Sequence, residues 1–174
     1  LLIMGAGPIG LATLLAAKHS GAGMVAITDV RDDRLEFSKT IGADIAFNVD
    51  TGIGGEPELF SETPLFDVAI DCTGMESAIR TSIKKVKPGG AVVLVGMGGD
   101  DINLPILETS TREIDLLGVF RYANTYPEAS ALLARSELDL KTLVTHSFTL
   151  QEANAAFALA ENKRSGVIKI IINP

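Results

Sequence analysis

Gly5-Ala6-Gly7-Pro8-Ile9-Gly10 stands between an apolar run, Leu1-Leu2-Ile3-Met4, and a helical stretch from Leu11 to Lys18. Glycine spacing alone says little, because 17 glycines in 174 residues give such patterns by chance. Position carries the information. The apolar run reads as a buried strand, the stretch after the turn as a helix, and Val25-Ala26-Ile27-Thr28-Asp29 as a second strand. That strand ends on an acid 19 residues beyond Gly10. Strand, glycine turn, helix and acid-tipped second strand together make the βαβ unit that holds a dinucleotide. Without a ligand the same outline would be only a glycine-rich strand-to-helix turn.

Each residue of the turn has a physical task. Gly5 permits a tight exit from the strand, Gly7 lets a pyrophosphate approach the backbone, and Gly10 lets the helix pack close to the sheet. Pro8 suits a first helical turn, where its missing N–H breaks no bond. The free N–H groups and positive dipole end of the helix then face the phosphates, with Ile9 beside them. Asp29 would accept hydrogen bonds from the adenosine ribose hydroxyls and repel a 2′-phosphate, which points to NAD. Arg31 lies near enough to suggest the opposite, a 2′-phosphate partner.

Composition narrows the class. Hydrophobic residues make up 47% of the chain, ample for a core between layers, yet no apolar run approaches the roughly 20 residues of a membrane helix. The net charge is −7, and Lys84, Lys85 and Lys87 are the only dense basic cluster. Nucleic acid and anionic membrane are poor partners for such a chain. The cluster reads as a solvated helix end favoured by the dipole. A single cysteine, Cys72, excludes an internal disulfide and suits a reducing, cytoplasmic setting. Lying in an apolar strand, it reads first as a buried structural thiol. The chain opens on a core strand without a start methionine, so it reads as part of a longer polypeptide.

Strand and helix patterns alternate, predicting an α/β fold with a doubly wound parallel sheet. A helix through Leu35, Phe37 and Ile41 ends at Gly42, and Ile45 to Val49 is a third strand. Residues 50–65 hold three glycines and two prolines, so no long helix is expected there, only a short turn around Leu59. Phe66 to Thr73 is a fourth strand, followed by a helix from Ser77 to Val86. Pro88-Gly89-Gly90 turns the chain into a strand from Ala91 to Gly96. Ile102 to Ile106 reads as extended, with Pro105 confining it to an edge or strand end. Ile114 to Phe120 is a sixth strand. Then come a helix from Pro127 to Ser136, a short strand from Leu143 to Phe148, a helix from Gln151 to Glu161, and a β segment from Val167 to Ile172. Residues 1–121 suffice for a dinucleotide-binding unit, and 122–174 read as a segment returning to another domain.

Further motifs sharpen the reading. Gly118-Val119-Phe120-Arg121-Tyr122-Ala123-Asn124-Thr125-Tyr126-Pro127 and Leu143-Val144-Thr145-His146-Ser147-Phe148 accompany Asp71-Cys72-Thr73-Gly74 and Val95-Gly96-Met97-Gly98. With the opening glycine turn, they make the chain resemble the cofactor-binding half of the medium-chain dehydrogenases, within them the sorbitol (polyol) dehydrogenases. The resemblance runs from Leu1 to Asn173 and is weakest over 50–65. It implies oxidation of a polyol carbon to a ketone, with hydride passing to the nicotinamide. It also implies that Arg34 lies beside the adenine end of the cofactor, that Val95, Gly96 and Met97 run along its nicotinamide half, and that Val119, Phe120 and Arg121 line the nicotinamide pocket. Cys72 and Thr73 join this cofactor set. Arg121 and Tyr122 would reach the substrate hydroxyls, for which both carry suitable donors. Edge strands of such domains join across dimers that often form tetramers, making residues 102–106 and 114–120 candidate edges.

Several residues keep a second reading. Arg34 stands three residues into a helix and also suits a surface position, and Arg121 and Tyr122 alone are ordinary strand-end residues. Asp29 and Asp71 end different strands and have no evident shared proton to transfer. His146 suits a structural hydrogen bond, and His19 receives no role. Enzymes of the resembled family use a catalytic zinc, whereas one cysteine and two distant histidines give no zinc-ligand spacing here. Zinc is therefore expected only with a further, N-terminal domain, and no metal ligand or catalytic group is assigned in this chain. A non-catalytic dinucleotide-binding module, a zinc-free reductase using NADP and an S-adenosylmethionine methyltransferase remain the alternatives.

Overall fold

The computed structural model describes residues 1–51, 66–135, 139–162 and 166–174. Its first part runs β1 (Leu2–Met4), α1 (Pro8–His19), β2 (Ala26–Asp29), α2 (Asp32–Thr40) and β3 (Ile45–Asn48), then β4 (Phe66–Asp71), α3 (Glu76–Lys85), β5 (Val86–Leu94), α4 (Ile106–Thr111) and β6 (Asp115–Gly118). The six strands form one parallel sheet in the order β3-β2-β1-β4-β5-β6. This is the doubly wound Rossmann arrangement, with its order reversing between β1 and β4. β1 shows why its sequence is apolar without interruption. Leu2 and Met4 enter one core cluster with α3 residues Ile79 and Ile83, while Ile3 enters the other with Leu11 and Leu14 of α1 and Leu35 of α2. Both sheet faces are covered, so no polar position remains to alternate. Each fully buried Leu or Ile contributes about 1.5–3 kcal/mol.

The rest comprises α5 (Tyr126–Ala134), β7 (Val144–Thr149), α6 (Ala153–Glu161) and β8 (Lys169–Asn173). β7 and β8 form a separate two-stranded parallel sheet. Leu140, Leu143 and Ile168 pack into the cluster beneath α1, which anchors this segment to the main sheet.

The structure departs from the sequence expectations at several points. Residues Ile102 to Ile106 form no strand. Instead Ile102 and Leu104 pack on the core, and Pro105 caps α4, a helix the proline had obscured. Pro88-Gly89-Gly90 does not precede β5 but makes a bulge within it, where the register jumps from Phe66↔Val86 to Val68↔Ala91. β5 stops at Leu94 because the next two N–H groups, of Val95 and Gly96, turn back to the Asp71 carbonyl. β4 ends at Asp71 rather than Thr73, and β6 at Gly118 rather than Phe120. A 3-10 turn, Leu140–Leu143, precedes β7, and another, Leu150–Glu152, opens α6 behind a Thr149–Glu152 capping box. Lys85 is buried, so the lysine cluster is not wholly solvated, while Lys87 pairs with Asp67 at 2.8 Å. The turn expected around Leu59 lies outside the described residues.

Packing of α1 on β1 turns on one backbone crossing. A Cβ added at Gly10 would lie 1.8 Å from the Gly5 carbonyl oxygen, whereas one at Gly23 would meet nothing within 4 Å. Gly10→Ala is therefore expected to destabilise the chain by about 1–3 kcal/mol, and Gly23→Ala by less than about 0.5 kcal/mol. Equal urea midpoints for the two variants would contradict this reading of the crossing.

Candidate functional site

The glycine turn leaves β1 with Gly5 in the left-handed region, φ +96°. Gly5 N–H donates to the Thr28 carbonyl, keeping the turn against β2. Gly7 is the N-cap of α1, and neither a side-chain cap nor an acid in the first turn neutralises that end. The first N–H groups of the helix thus keep their free donor capacity. A Cβ at Gly7 would have only Arg34 Nη1 nearby, at 3.8 Å, so this flank of the turn is open. Pro8 opens the helix, and Ile9 projects beside it 57% exposed. An uncapped helix end under an open glycine backbone suits a pyrophosphate.

Asp29 does more than its sequence position indicated. Its Oδ2 accepts the Ala6 N–H at 2.7 Å, and its Oδ1 accepts those of Val30 and Arg31 at 2.9 and 3.0 Å. The carboxylate thereby ties the glycine turn to the end of β2. Three donors occupy most of its roughly four acceptor positions, leaving about one for a ligand. Arg34 reaches into the same corner, with Nη1 3.9 Å from Asp29 Oδ2. Its Nε is buried without a hydrogen-bond partner, so this arginine fits a site in which a ligand completes the bonding.

On the other side of β1, Asp71 is fully buried and organises the next turn. Its Oδ1 accepts from Thr73 N–H and Thr73 Oγ1, and its Oδ2 from Gly74 N–H. Thr73 Cγ2 lies under Gly5, 2.8 Å from where a Cβ would sit. Gly74, at φ +72°, crosses the chain after β5 so closely that a Cβ at Gly96 or Gly98 would overlap its backbone. These contacts fix Val95, Gly96 and Met97 beside Thr73, with Met97 83% exposed. Sequence reading missed both the Asp71 clamp and this glycine crossing, although Asp71-Cys72-Thr73-Gly74 contains the signal for an Asx-type turn. Cys72 faces α1, its Sγ 3.8 Å from Thr13 Oγ1, and burial pushes its thiol up to about 11.

Val119, Phe120, Arg121 and Tyr122 follow β6 and are exposed. Val119 N–H donates to the Leu94 carbonyl, which holds the start of this stretch to β5. Arg121 adopts φ +54° and stacks its guanidinium 5.0 Å from the Phe120 ring centre. Tyr122 meets Tyr126 edge-on at 4.9 Å. The glycine turn, Asp29, Thr73, Val95–Met97 and Val119–Tyr122 all follow the carboxyl ends of parallel strands, where ligands bind in such sheets. A cavity of about 820 Å³ lies apart from the glycine turn, along α3 between Glu76, Arg80 and Gly98, and shares only Thr73 with the set. His146 is a β7 residue bonded to Thr145 Oγ1 at 3.0 Å, a structural contact. Among the described residues no group of three or more His, Cys, Asp or Glu side chains could hold a metal ion. The described residues therefore do not form a zinc site.

Sheet order, glycine turn and helix placement define a Rossmann-type α/β domain. Residues 8–135 match the zinc-binding dehydrogenase family, and the chain belongs to it as the cofactor-binding half. It is 42% identical to sorbitol dehydrogenase of Mus musculus and 40% identical to L-arabinitol 4-dehydrogenase of Aspergillus niger, each over 98% of this chain and 48% of the relative. The structure of a short chain alcohol dehydrogenase from E. coli CFT073 complexed with cofactor NADH superposes with a TM-score of 0.90 at 26% identity. It covers 99% of this chain and 51% of that one. The chain thus spans about half the length of the relatives it matches, and the family expected from its motifs is the one found.

The raised Cys72 thiol makes a chemical prediction. With its value moved from 9.0 to about 11, the reactive thiolate at pH 8 is about 100-fold scarcer than in an exposed cysteine. Thiol-alkylation kinetics should show Cys72 inert in the folded chain and fast in urea. Equal rates in the two conditions would contradict its placement.

Proposed function

We propose that this chain is the NAD-binding part of a longer polyol dehydrogenase, which moves a hydride between a polyol carbon and the nicotinamide. The observation that carries the cofactor reading is the uncapped start of α1 above Gly7, flanked by the acid that ends β2. The pyrophosphate would lie on the N–H groups of the first turn of α1, with Ile9 alongside. Asp29 would take the adenosine ribose and Arg34 the adenine end. NAD, when bound, supplies the hydride acceptor. Val95, Gly96 and Met97 would border its nicotinamide half, and Val119, Phe120 and Arg121 would line the far wall, with Thr73 and Cys72 behind. No step is assigned to a metal, since the described residues do not form its site.

The polyol substrate rests on the relatives, a sorbitol dehydrogenase and an arabinitol dehydrogenase. Arg121 and Tyr122 support it with hydrogen-bond donors near the nicotinamide end, where a polyol offers only hydroxyls. Residues 122–174 carry exposed Leu150 and Phe157, which suit packing toward the remainder of a longer enzyme. The edge of β6 suits pairing with a second copy as a dimer or tetramer. No helix among the described residues is long and apolar enough to cross a membrane, and a free, half-buried thiol suits the reducing cytoplasm.

Calorimetry with NAD, NADP and S-adenosylmethionine tests the cofactor. NAD should bind most tightly, and binding of S-adenosylmethionine with neither dinucleotide would overturn the reading. Asp29→Ala should weaken NAD about tenfold or more, in line with loss of a charge-assisted hydrogen bond, and NADP less. Equal losses would mean that Asp29 serves only the turn.

A further inference from the structure

Arg31 stands two residues beyond Asp29 as the N-cap of α2, beside the acid to which the proposed function assigns the adenosine ribose. Its backbone N–H already holds Asp29 Oδ1 at 3.0 Å. Its guanidinium, however, is engaged elsewhere. Arg31 Nε donates to Asp33 Oδ1 at 3.0 Å and Nη2 to Asp33 Oδ2 at 2.7 Å, a two-pronged pair with both side chains largely covered. Asp33 is itself held, because Gly166 N–H of the C-terminal segment donates to its Oδ2 at 2.8 Å. The bond to Asp33 also raises the Arg31 guanidinium above its usual range.

We propose that Asp33 is a specificity-determining residue: by latching Arg31, it withholds the guanidinium that would otherwise receive a 2′-phosphate. This deepens the NAD reading above and rests on it. Asp29 discriminates by repulsion, and Asp33 by occupying a would-be phosphate ligand. The two devices act on the same ribose position from different sides. Arginine is well suited to such a switch, since its planar fork serves carboxylate and phosphate alike. The Gly166 hydrogen bond makes the device non-local, linking cofactor choice at α2 to the turn before β8.

The test is the ratio of NADPH to NADH affinity, read by fluorescence titration of the 174-residue chain. Asp33→Asn should raise that ratio about tenfold, the size expected when the arginine fork exchanges a carboxylate for a phosphate. Arg31→Ala combined with Asp33→Asn should return it to the starting value. Arg31→Ala alone, in a chain whose Asp33 is intact, should leave the ratio within about twofold. An unchanged ratio in Asp33→Asn would overturn the latch. So would a selective loss of NADPH binding in Arg31→Ala alone, which needs no variant at Asp33. Failure of the unaltered chain to bind either dinucleotide would instead overturn the cofactor reading and the latch together, a result distinct from both.

Discussion

A single hydrogen bond, from the Ala6 N–H to Asp29 Oδ2 at 2.7 Å, joins the two parts on which the site depends. One end lies in the turn that aims α1, and the other at the tip of β2. Because the same carboxylate also accepts the Val30 and Arg31 N–H groups, it sets the start of the path into α2. A charged acceptor on backbone donors is worth about twice a neutral one. The acid is therefore part of the scaffold before any ligand arrives, and the proposed recognition of a ribose would use what remains of its bonding capacity.

Asp71 repeats this logic one strand away. Like Asp29, it ends a strand next to β1 and accepts the N–H groups of the turn that follows. The two differ in access. Asp71 is fully buried under the turn it holds, while the Asp29 side chain stays 9% exposed beside Arg34. That difference makes Asp71 a positioning acid alone and leaves Asp29 accessible to a ligand, and the two acids hold different turns rather than sharing a proton. The Gly74 crossing with Gly96 and Gly98 then carries the order imposed by Asp71 across to the end of β5.

The sequence made the fold legible wherever burial imposed a pattern. Unbroken apolar runs at β1 and β2 announced strands covered on both faces, and Gly10 announced a close helix–sheet approach. Legibility failed where a local signal competed with packing. Pro105 looked like the end of a strand but caps a helix, and Pro88-Gly89-Gly90 looked like a boundary but is absorbed as a bulge inside β5. The hydrogen bond from Ala6 to Asp29 left no trace in residue spacing, since its donor is an N–H group that every residue but proline carries. The Asx-type signal at Asp71 did not reveal how closely its turn meets the chain after β5. The engagement of Arg31 by Asp33 was likewise hidden. An arginine near an acid expected to bind a ribose suggests a phosphate ligand until its side chain is seen to be held.

The most direct test of the account is a crystal structure of the chain with NADH. It should show pyrophosphate oxygens within hydrogen-bond distance of the Ile9 and Gly10 N–H groups, and an adenosine ribose hydroxyl on Asp29 with the Ala6 hydrogen bond intact. A dinucleotide seated in the α3 cavity between Glu76 and Arg80, with the glycine turn empty, would contradict it.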